Sequence, residues 1–224
     1  MTTKRFVVGL LILTGLASML AWWMRGPGDA ALTRPRTDLP WQVQVLSPER
    51  LRVFDLELPR STLRDAIAKF GQLESVSLFQ SKQGVFSLEA YFGKVSLGPL
   101  KARVIATLDA PQSHLRELAA GALTMKYTKD GERRFVLDQE RIAAQLSRPL
   151  RALSYIPAYS GLDADFFRKR FGEPAYYLKI NDHSVQWFYP ERGVRILIDV
   201  KGKEVLEYQP PADFKIPKGA GKNR

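Results

Sequence analysis

An uncharged run of nineteen residues, 6–24, limits what the amino-terminal part of this chain can form. As a helix rising about 1.5 Å per residue, the run would be about 28 Å long, close to the ~30 Å hydrocarbon thickness of a bilayer. Trp22 and Trp23 lie at its end and Arg25 follows, and such residues are typical of the boundary between lipid and water. The run therefore predicts a membrane anchor in residues 1–24, with these three side chains at the membrane interface.

The charges before this run predict its orientation. Lys4 and Arg5 precede it directly, as at the start of an export signal. We therefore expect a single-pass protein of the bacterial inner membrane, with a cytoplasmic amino terminus and residues 25–224 in the periplasm. A cleavable signal peptide is the alternative, but its apolar core usually has about 7 to 15 residues, so the length of this run favours a retained anchor.

The net charge of +11 raises the question of a nucleic-acid partner. Most of the excess lies at the two ends of the chain, because residues 37–214 contain 25 Lys and Arg against 22 Asp and Glu. A nucleic-acid-binding domain would concentrate basic residues on one surface, so we expect no nucleic-acid partner. The excess of basic residues in the last segment, 213–224, predicts a disordered tail.

The chain contains no cysteine and two histidines, which restricts its chemistry. Disulfides, zinc fingers, thiol nucleophiles and lipid attachment at an amino-terminal cysteine are excluded. His114 and His183 are far apart in sequence, whereas a metal site needs three or four converging ligands. We therefore expect no metal and no cofactor. A Ser-His-Asp arrangement formed only by folding stays open, although no G-x-S-x-G motif supports one.

Beyond residue 40, short periodic segments alternate between strand and helix patterns. Phe54, Leu56 and Leu58 alternate with acidic residues, which is typical of a half-buried strand. Thr62 followed by Asp65 is typical of a capped helix start. Several more such segments follow along the chain. We therefore predict an α+β fold, in which antiparallel sheets carry short helices packed on one face.

The order of these segments predicts the domain boundaries. Residues 25–40 contain three prolines and two glycines, as expected for a linker. An α+β domain should occupy residues 41–156, and a small helix-plus-β-meander domain residues 157–212. Segments 62–108 and 163–208 share the order helix, basic residue-Phe-Gly and strands, which suggests two similar helix-plus-meander units.

Four residues stand out as candidates for contact or chemistry. Tyr177, Tyr189 and Arg192 belong to an aromatic-rich final meander, and aromatic residues with arginine are typical of protein interfaces. We predict that these three contact a partner. Glu89 lies between apolar residues of a strand, where partial burial would raise its pKa and make it a candidate for acid–base chemistry.

Residues 162–208 resemble the SmpA/OmlA (BamE-like) outer-membrane-assembly lipoprotein family. The resemblance lies in F-F-R-K-R-F-G-E-P, in W-F-Y-P, and in a strand, Lys201-Gly202 and a last strand. Members of that family follow the same order and lack catalytic activity, binding other proteins of the cell envelope instead. This chain departs from the family pattern because it has no lipid-bearing cysteine.

The sequence therefore predicts a non-catalytic protein-binding or scaffolding module of the bacterial cell envelope. Its partners would be membrane lipid through residues 6–24 and either an envelope protein or a second copy of itself. One alternative is a membrane-tethered hydrolase that uses carboxylates on an envelope polymer. Another is a binder of anionic lipid or glycan, to which residues 215–224 would contribute positive charge.

Overall fold

The computed structural model describes residues 38–159 and 161–223, which belong to one compact unit. In this part of the chain, fourteen strands and four α-helices follow one another. Their bounds are β1 (Gln44–Ser47), β2 (Arg50–Val53), β3 (Leu56–Leu58), α1 (Leu63–Phe70), β4 (Ser75–Gln80), β5 (Phe86–Leu97), β6 (Leu100–Leu108), α2 (Gln112–Ala120), β7 (Thr124–Tyr127), β8 (Arg133–Val136), α3 (Gln139–Ala143), β9 (Leu150–Pro157), α4 (Ala164–Phe171), β10 (Tyr176–Lys179), β11 (Ser184–Tyr189), β12 (Val194–Asp199), β13 (Val205–Tyr208) and β14 (Gly221–Lys222). Two 3-10 turns, Pro190–Arg192 and Pro211–Asp213, complete them.

Eleven of the strands form one antiparallel sheet, in the order β14-β10-β11-β12-β13-β9-β6-β5-β4-β8-β7. Strand β9 joins the two halves, because Tyr155 lies opposite Val104 of β6 on one side and opposite Leu206 of β13 on the other. The sequence-based division at residue 156 therefore falls within a continuous sheet. Strands β1 to β3 form a separate three-stranded sheet.

One face of the large sheet is covered by helices and by the small sheet. Alternate side chains of β5 on this face are buried, and α1 and α2 pack against β5. Apolar residues of the two helices belong to the same core: Leu63, Ala66, Phe70, Leu115 and Leu118. Helix α4 covers the other half, where the ring of Phe171 lies 5.6 Å from that of Tyr189. We call the opposite side of the sheet the open face.

The small sheet contributes a central aromatic residue to this core. Phe54 and Asp55 have φ values of 54° and 61° and form the turn between β2 and β3. The ring of Phe54 lies 5.6 Å from that of Tyr155 and 5.5 Å from that of Tyr208. The predicted strand is therefore confirmed at Leu56–Leu58, whereas Phe54 lies in the hairpin turn before it, and packing of its buried ring stabilises this turn.

The carboxyl-terminal segment crosses the open face at one end of the sheet. Phe214 packs edge-on against Phe188, with ring centroids 6.4 Å apart, and Phe188 is fully buried. Arg195 donates a hydrogen bond to the carbonyl of Lys215 over 3.2 Å. Strand β14 then pairs with β10 at the edge of the sheet. Residues 213–223, predicted as a disordered tail, thus form part of the fold. At the opposite end, β7 is exposed along its whole length.

The predicted fold class and localisation need correction. The described residues form a mainly antiparallel β structure centred on one large sheet, whereas an α+β fold behind a transmembrane helix was predicted, with two similar helix-plus-meander units suggested. No helix within residues 38–159 and 161–223 is long and apolar enough to cross a membrane. The predicted span, residues 6–24 with Trp22, Trp23 and Arg25, lies outside the described residues. We therefore withdraw the assignment to the inner membrane and periplasm.

Candidate functional site

The three predicted interface residues differ in how exposed their side chains are. Tyr189 is 5% exposed, and its hydroxyl donates a hydrogen bond to the carbonyl of Gly172 over 2.9 Å. Burial raises the pKa of this tyrosine well above its usual value, so its hydroxyl stays protonated. Arg192 is exposed in the 3-10 turn after β11. Tyr177, on β10, is 46% exposed and is therefore available for a contact.

Tyr177 lines a groove of about 730 Å³ beside the start of α4, which we call the α4 groove. Apolar side chains form much of its walls: Leu162, Ala164, Tyr177, Val185, Ile198 and Val200. Polar side chains also line it, including Asp163, Lys179, Asp182, His183, Ser184, Asp199 and Glu204.

The groove exists because α4 is too short to cover the outer strands completely. A helix of eight residues is about 12 Å long. It covers Trp187, over whose ring Arg168 lies at 5.1 Å from the centroid. Val185 comes two residues earlier on the same face of β11 and lies opposite Ile198 of β12. These apolar side chains form the floor that α4 leaves open.

Exposed apolar side chains occur in and near the groove. Val200, which lines the groove, is 80% exposed in the turn that follows β12. Ile180 is 51% exposed in the turn that follows β10. Exposed apolar side chains at a groove are typical of protein–protein contact sites.

The turn at the groove is fixed by Asp199. Its carboxylate accepts hydrogen bonds from the backbone N–H groups of Lys201 and Gly202 and lies 3.0 Å from Nδ1 of His183. These contacts, that of Lys201 first, lower the pKa of Asp199, so the carboxylate stays ionised. In the described part of the chain, the hydroxyl of Ser184 forms no hydrogen bond to His183.

Glu204 is the unusual residue of the groove. It is 5% exposed, and its buried Oε2 atom has no hydrogen-bond partner among the described residues. A buried carboxylate oxygen without a donor costs free energy, and a donor supplied by a bound molecule would remove that cost. No signal in the sequence pointed to Glu204, because a single acidic residue after a Lys-Gly-Lys turn is common on protein surfaces.

Glu89 lies elsewhere, on the open face of the large sheet. It lines a small cavity of about 180 Å³ with Ser77, Tyr91 and Arg134, among others. Burial raises the pKa of its carboxyl group, and the charges of nearby acidic residues raise it further, while a hydrogen bond from the Ser87 hydroxyl lowers it. No second carboxylate is hydrogen-bonded to Glu89 in the described residues. This site therefore contains one carboxyl group, that of Glu89, and its raised pKa makes it a weaker acid than an ordinary glutamate.

The two histidines occupy separate environments. His114 lies 3.4 Å from the side-chain oxygen of Gln145, whereas His183 is held by Asp199. Within residues 38–159 and 161–223, no group of three or more histidine and acidic side chains could hold a metal ion. Comparison of the chain with known protein families, with curated proteins and with solved structures finds no match.

Proposed function

We propose that this protein is a protein-binding module whose α4 groove receives a short segment of a partner protein. The segment would carry a large apolar side chain next to a lysine or arginine. The unpaired Oε2 atom of Glu204 in an apolar groove carries this proposal, because it is a buried acceptor that a basic donor would satisfy.

The shape of the groove supports a peptide as the occupant. Its volume of about 730 Å³ lies within the ~300–1,000 Å³ typical of ligand sites. Two of its lining residues, Tyr177 and Val200, are 46% and 80% exposed, so both remain largely in water while the groove is empty. An extended peptide chain would cover both side chains.

The charges of the groove support a basic residue in that segment. Asp163, Asp182, Asp199 and Glu204 all line it. Lys179 lies among them, but its ammonium group is already 2.9 Å from a carboxylate oxygen of Asp182. The groove therefore has an excess of negative charge, which favours cationic over acidic segments.

The resemblance of residues 162–208 to the SmpA/OmlA family supports the same class of function. Members of that family bind other proteins, and the matching residues include α4 and strands β10 to β13. The α4 groove is built from these elements.

The proposal can be tested with the purified full chain and a displayed library of random ten-residue peptides. We expect selected peptides to share an apolar side chain beside lysine or arginine. In fluorescence anisotropy, the Glu204→Gln and Tyr177→Ala variants should each bind a selected peptide at least about tenfold more weakly, since hydrogen bonds to charged groups and aromatic anchors contribute most to affinity.

Matched controls separate binding from general effects. Glu191→Gln removes an exposed acid, and Tyr127→Ala removes an exposed tyrosine on β7. Both should leave the affinity within about twofold, as expected for surface residues outside an interface. Without peptide, Glu204→Gln should melt at the same or a higher temperature, because it removes an unpaired buried carboxylate. Selection of acidic peptides, or equal losses in test and control variants, would overturn the proposal.

A further inference from the structure

Four basic side chains surround a cavity of about 370 Å³ near the β5–β6 hairpin, which we call the basic cavity. They are Lys94 of β5, Lys101 and Arg103 of β6, and Lys203, which precedes β13. The other lining residues are uncharged, including Val95, Ser96, Ile156 and Pro157. Among the described residues, no acidic side chain lines the cavity.

Hydrogen bonds join the three chain segments that form this cavity. The backbone N–H of Ala158 donates to the carbonyl of Lys101 over 2.8 Å. The ammonium group of Lys203 donates to the carbonyl of Ala158 over 3.0 Å. The basic residues are therefore brought together by a connected framework of β6, the end of β9 and the turn before β13.

Three of the four positive charges of this cavity have no partner among the described residues. Lys94 lies directly opposite Arg103 in the β5–β6 register, and like charges in such cross-strand positions destabilise a sheet. The side chains of Lys94, Lys101 and Arg103 form no hydrogen bond or ion pair with any other described residue. All four basic side chains are exposed, so water solvates them in the free chain, and an anion bound between them would offset their mutual repulsion.

We propose that the basic cavity binds a small soluble molecule that carries a diphosphate or a similar multiply charged phosphate group. An arginine can contact two phosphate oxygens at once, and lysines add compact positive charges. Four cations favour an anion of several charges over a simple carboxylate. The volume is at the lower end of the range for small-molecule sites, so the phosphate group is the part that the cavity encloses.

The site is separate from the α4 groove. The two share no lining residue, although Lys203 of the basic cavity directly precedes Glu204 of the groove. A phosphate ligand in the cavity is therefore a second binding activity, and it can be tested whether or not the groove binds peptides.

Titration calorimetry of the full chain with inorganic pyrophosphate tests the proposal. The titration is made at about 0.15 M salt, because attraction between exposed charges is screened beyond about 8 Å at that ionic strength. We expect one saturable site that binds pyrophosphate at least about tenfold more tightly than sulfate. Arg103→Gln and Lys101→Gln should each weaken pyrophosphate binding about tenfold or more. Lys126→Gln, which removes the same charge from exposed β7, should change it less than about twofold.

Three results would overturn the proposal. The first is the absence of saturable pyrophosphate binding to a chain whose circular dichroism shows it to be folded. The second is an equal loss of affinity in Arg103→Gln and Lys126→Gln, which would mean attraction to net charge alone. The third is Arg103-dependent binding to phosphatidylglycerol vesicles without binding of pyrophosphate, which would assign the cavity to a lipid head group.

Discussion

Some buried polar groups of the folded chain have a hydrogen-bond partner and others do not. The hydroxyl of Tyr208 donates to the carbonyl of Pro40 over 2.9 Å in the fully buried core. The hydroxyl of Tyr155 lies near Tyr159 but has no hydrogen-bond partner among the described residues. Two tyrosines of one aromatic cluster therefore make opposite contributions through the same functional group.

Replacing these two tyrosines by phenylalanine gives a direct comparison. Tyr208→Phe should lower the free energy of unfolding by about 1–3 kcal/mol, because the carbonyl of Pro40 then stays buried without a donor. Tyr155→Phe should leave it unchanged or raise it slightly, because it removes an unpaired buried hydroxyl. Urea denaturation of both variants measures the difference. A larger loss in Tyr155→Phe would contradict this explanation.

The raised pKa of Glu89 predicts a pH-dependent stability. A carboxyl group whose pKa is higher in the folded than in the unfolded chain costs stability once it is ionised. Stability should therefore fall as the pH rises from the ordinary value of 4.5 through the folded pKa. Glu89→Gln should melt above the wild type at pH 7, and the difference should disappear below pH 4.5.

Thermal unfolding followed by circular dichroism between pH 4 and pH 8 would measure this effect. A shift of a few degrees is expected, since 1 kcal/mol corresponds to about 2–4 °C in a chain of this size. Glu191→Gln, at an exposed position, serves as the control. A variant less stable than the wild type at pH 7 would show that the ionised Glu89 is stabilised in the folded chain.

At the scale of elements, sequence signals were most informative where the responsible interaction is local. Thr62 and Asp65 form the expected capping box of α1, and the side chain of Asp163 caps α4. These contacts join residues three positions apart, so both partners can be recognised within one short segment of the sequence. The turn at Phe54 was missed because its positive φ depends on packing against Tyr155, a residue far along the chain.

The segment after β13 was also misread, for a related reason. Its lysines and glycines are typical of a flexible tail, whereas its order comes from contacts with β10, β11 and β12. Phe214 packs on Phe188, and the carbonyl of Lys215 accepts a hydrogen bond from Arg195. One aromatic residue thus stabilises a segment whose composition predicts disorder.

Phe214 can be tested against its neighbour Lys215. Phe214→Ala should lower the free energy of unfolding by about 1–3 kcal/mol, since Phe214 is half-buried and its loss uncovers Phe188. Lys215→Ala should have an effect below about 0.5 kcal/mol, because only its backbone carbonyl is used and its side chain is exposed. Denaturant unfolding measures both, and equal effects would show that the segment does not cover the open face in solution.

At the scale of the whole molecule, sequence periodicity could not predict that the strands form a single sheet. Alternation of apolar side chains shows which face of a strand is buried, but it does not identify the neighbouring strand. The pairing of Tyr155 with both Val104 and Leu206 joins segments about 50 residues apart on either side. The helices and most strands were therefore predictable, whereas the union of the two predicted domains was not.

A continuous sheet predicts that both halves unfold together. Leu88→Ala in β5 and Ile196→Ala in β12 each remove a fully buried side chain, which usually costs about 2–5 kcal/mol. In scanning calorimetry, each variant should shift one common transition to lower temperature. Separation into two transitions, with each variant shifting only one, would mean that the halves are independent domains.

The candidate binding sites were predictable only in part. Tyr177 was identified from aromatic composition, and it does line the α4 groove. Glu204 was not identified, since its burial depends on how the turn before β13 meets the groove. The basic cavity was also missed, because the register that places Lys94 opposite Arg103 is shifted by an irregularity at residues 91–94.

The two ends of the large sheet differ in length and exposure. The two-residue strand β14 pairs with Tyr176 and Tyr177 of β10, whereas the four exposed residues of β7 pair with β8 and with no other strand in the described part of the chain. A strand edge without a partner can pair with the same edge of a second molecule. Two molecules joined through β7 in this way would be related by a twofold axis, because each would present the same edge to the other.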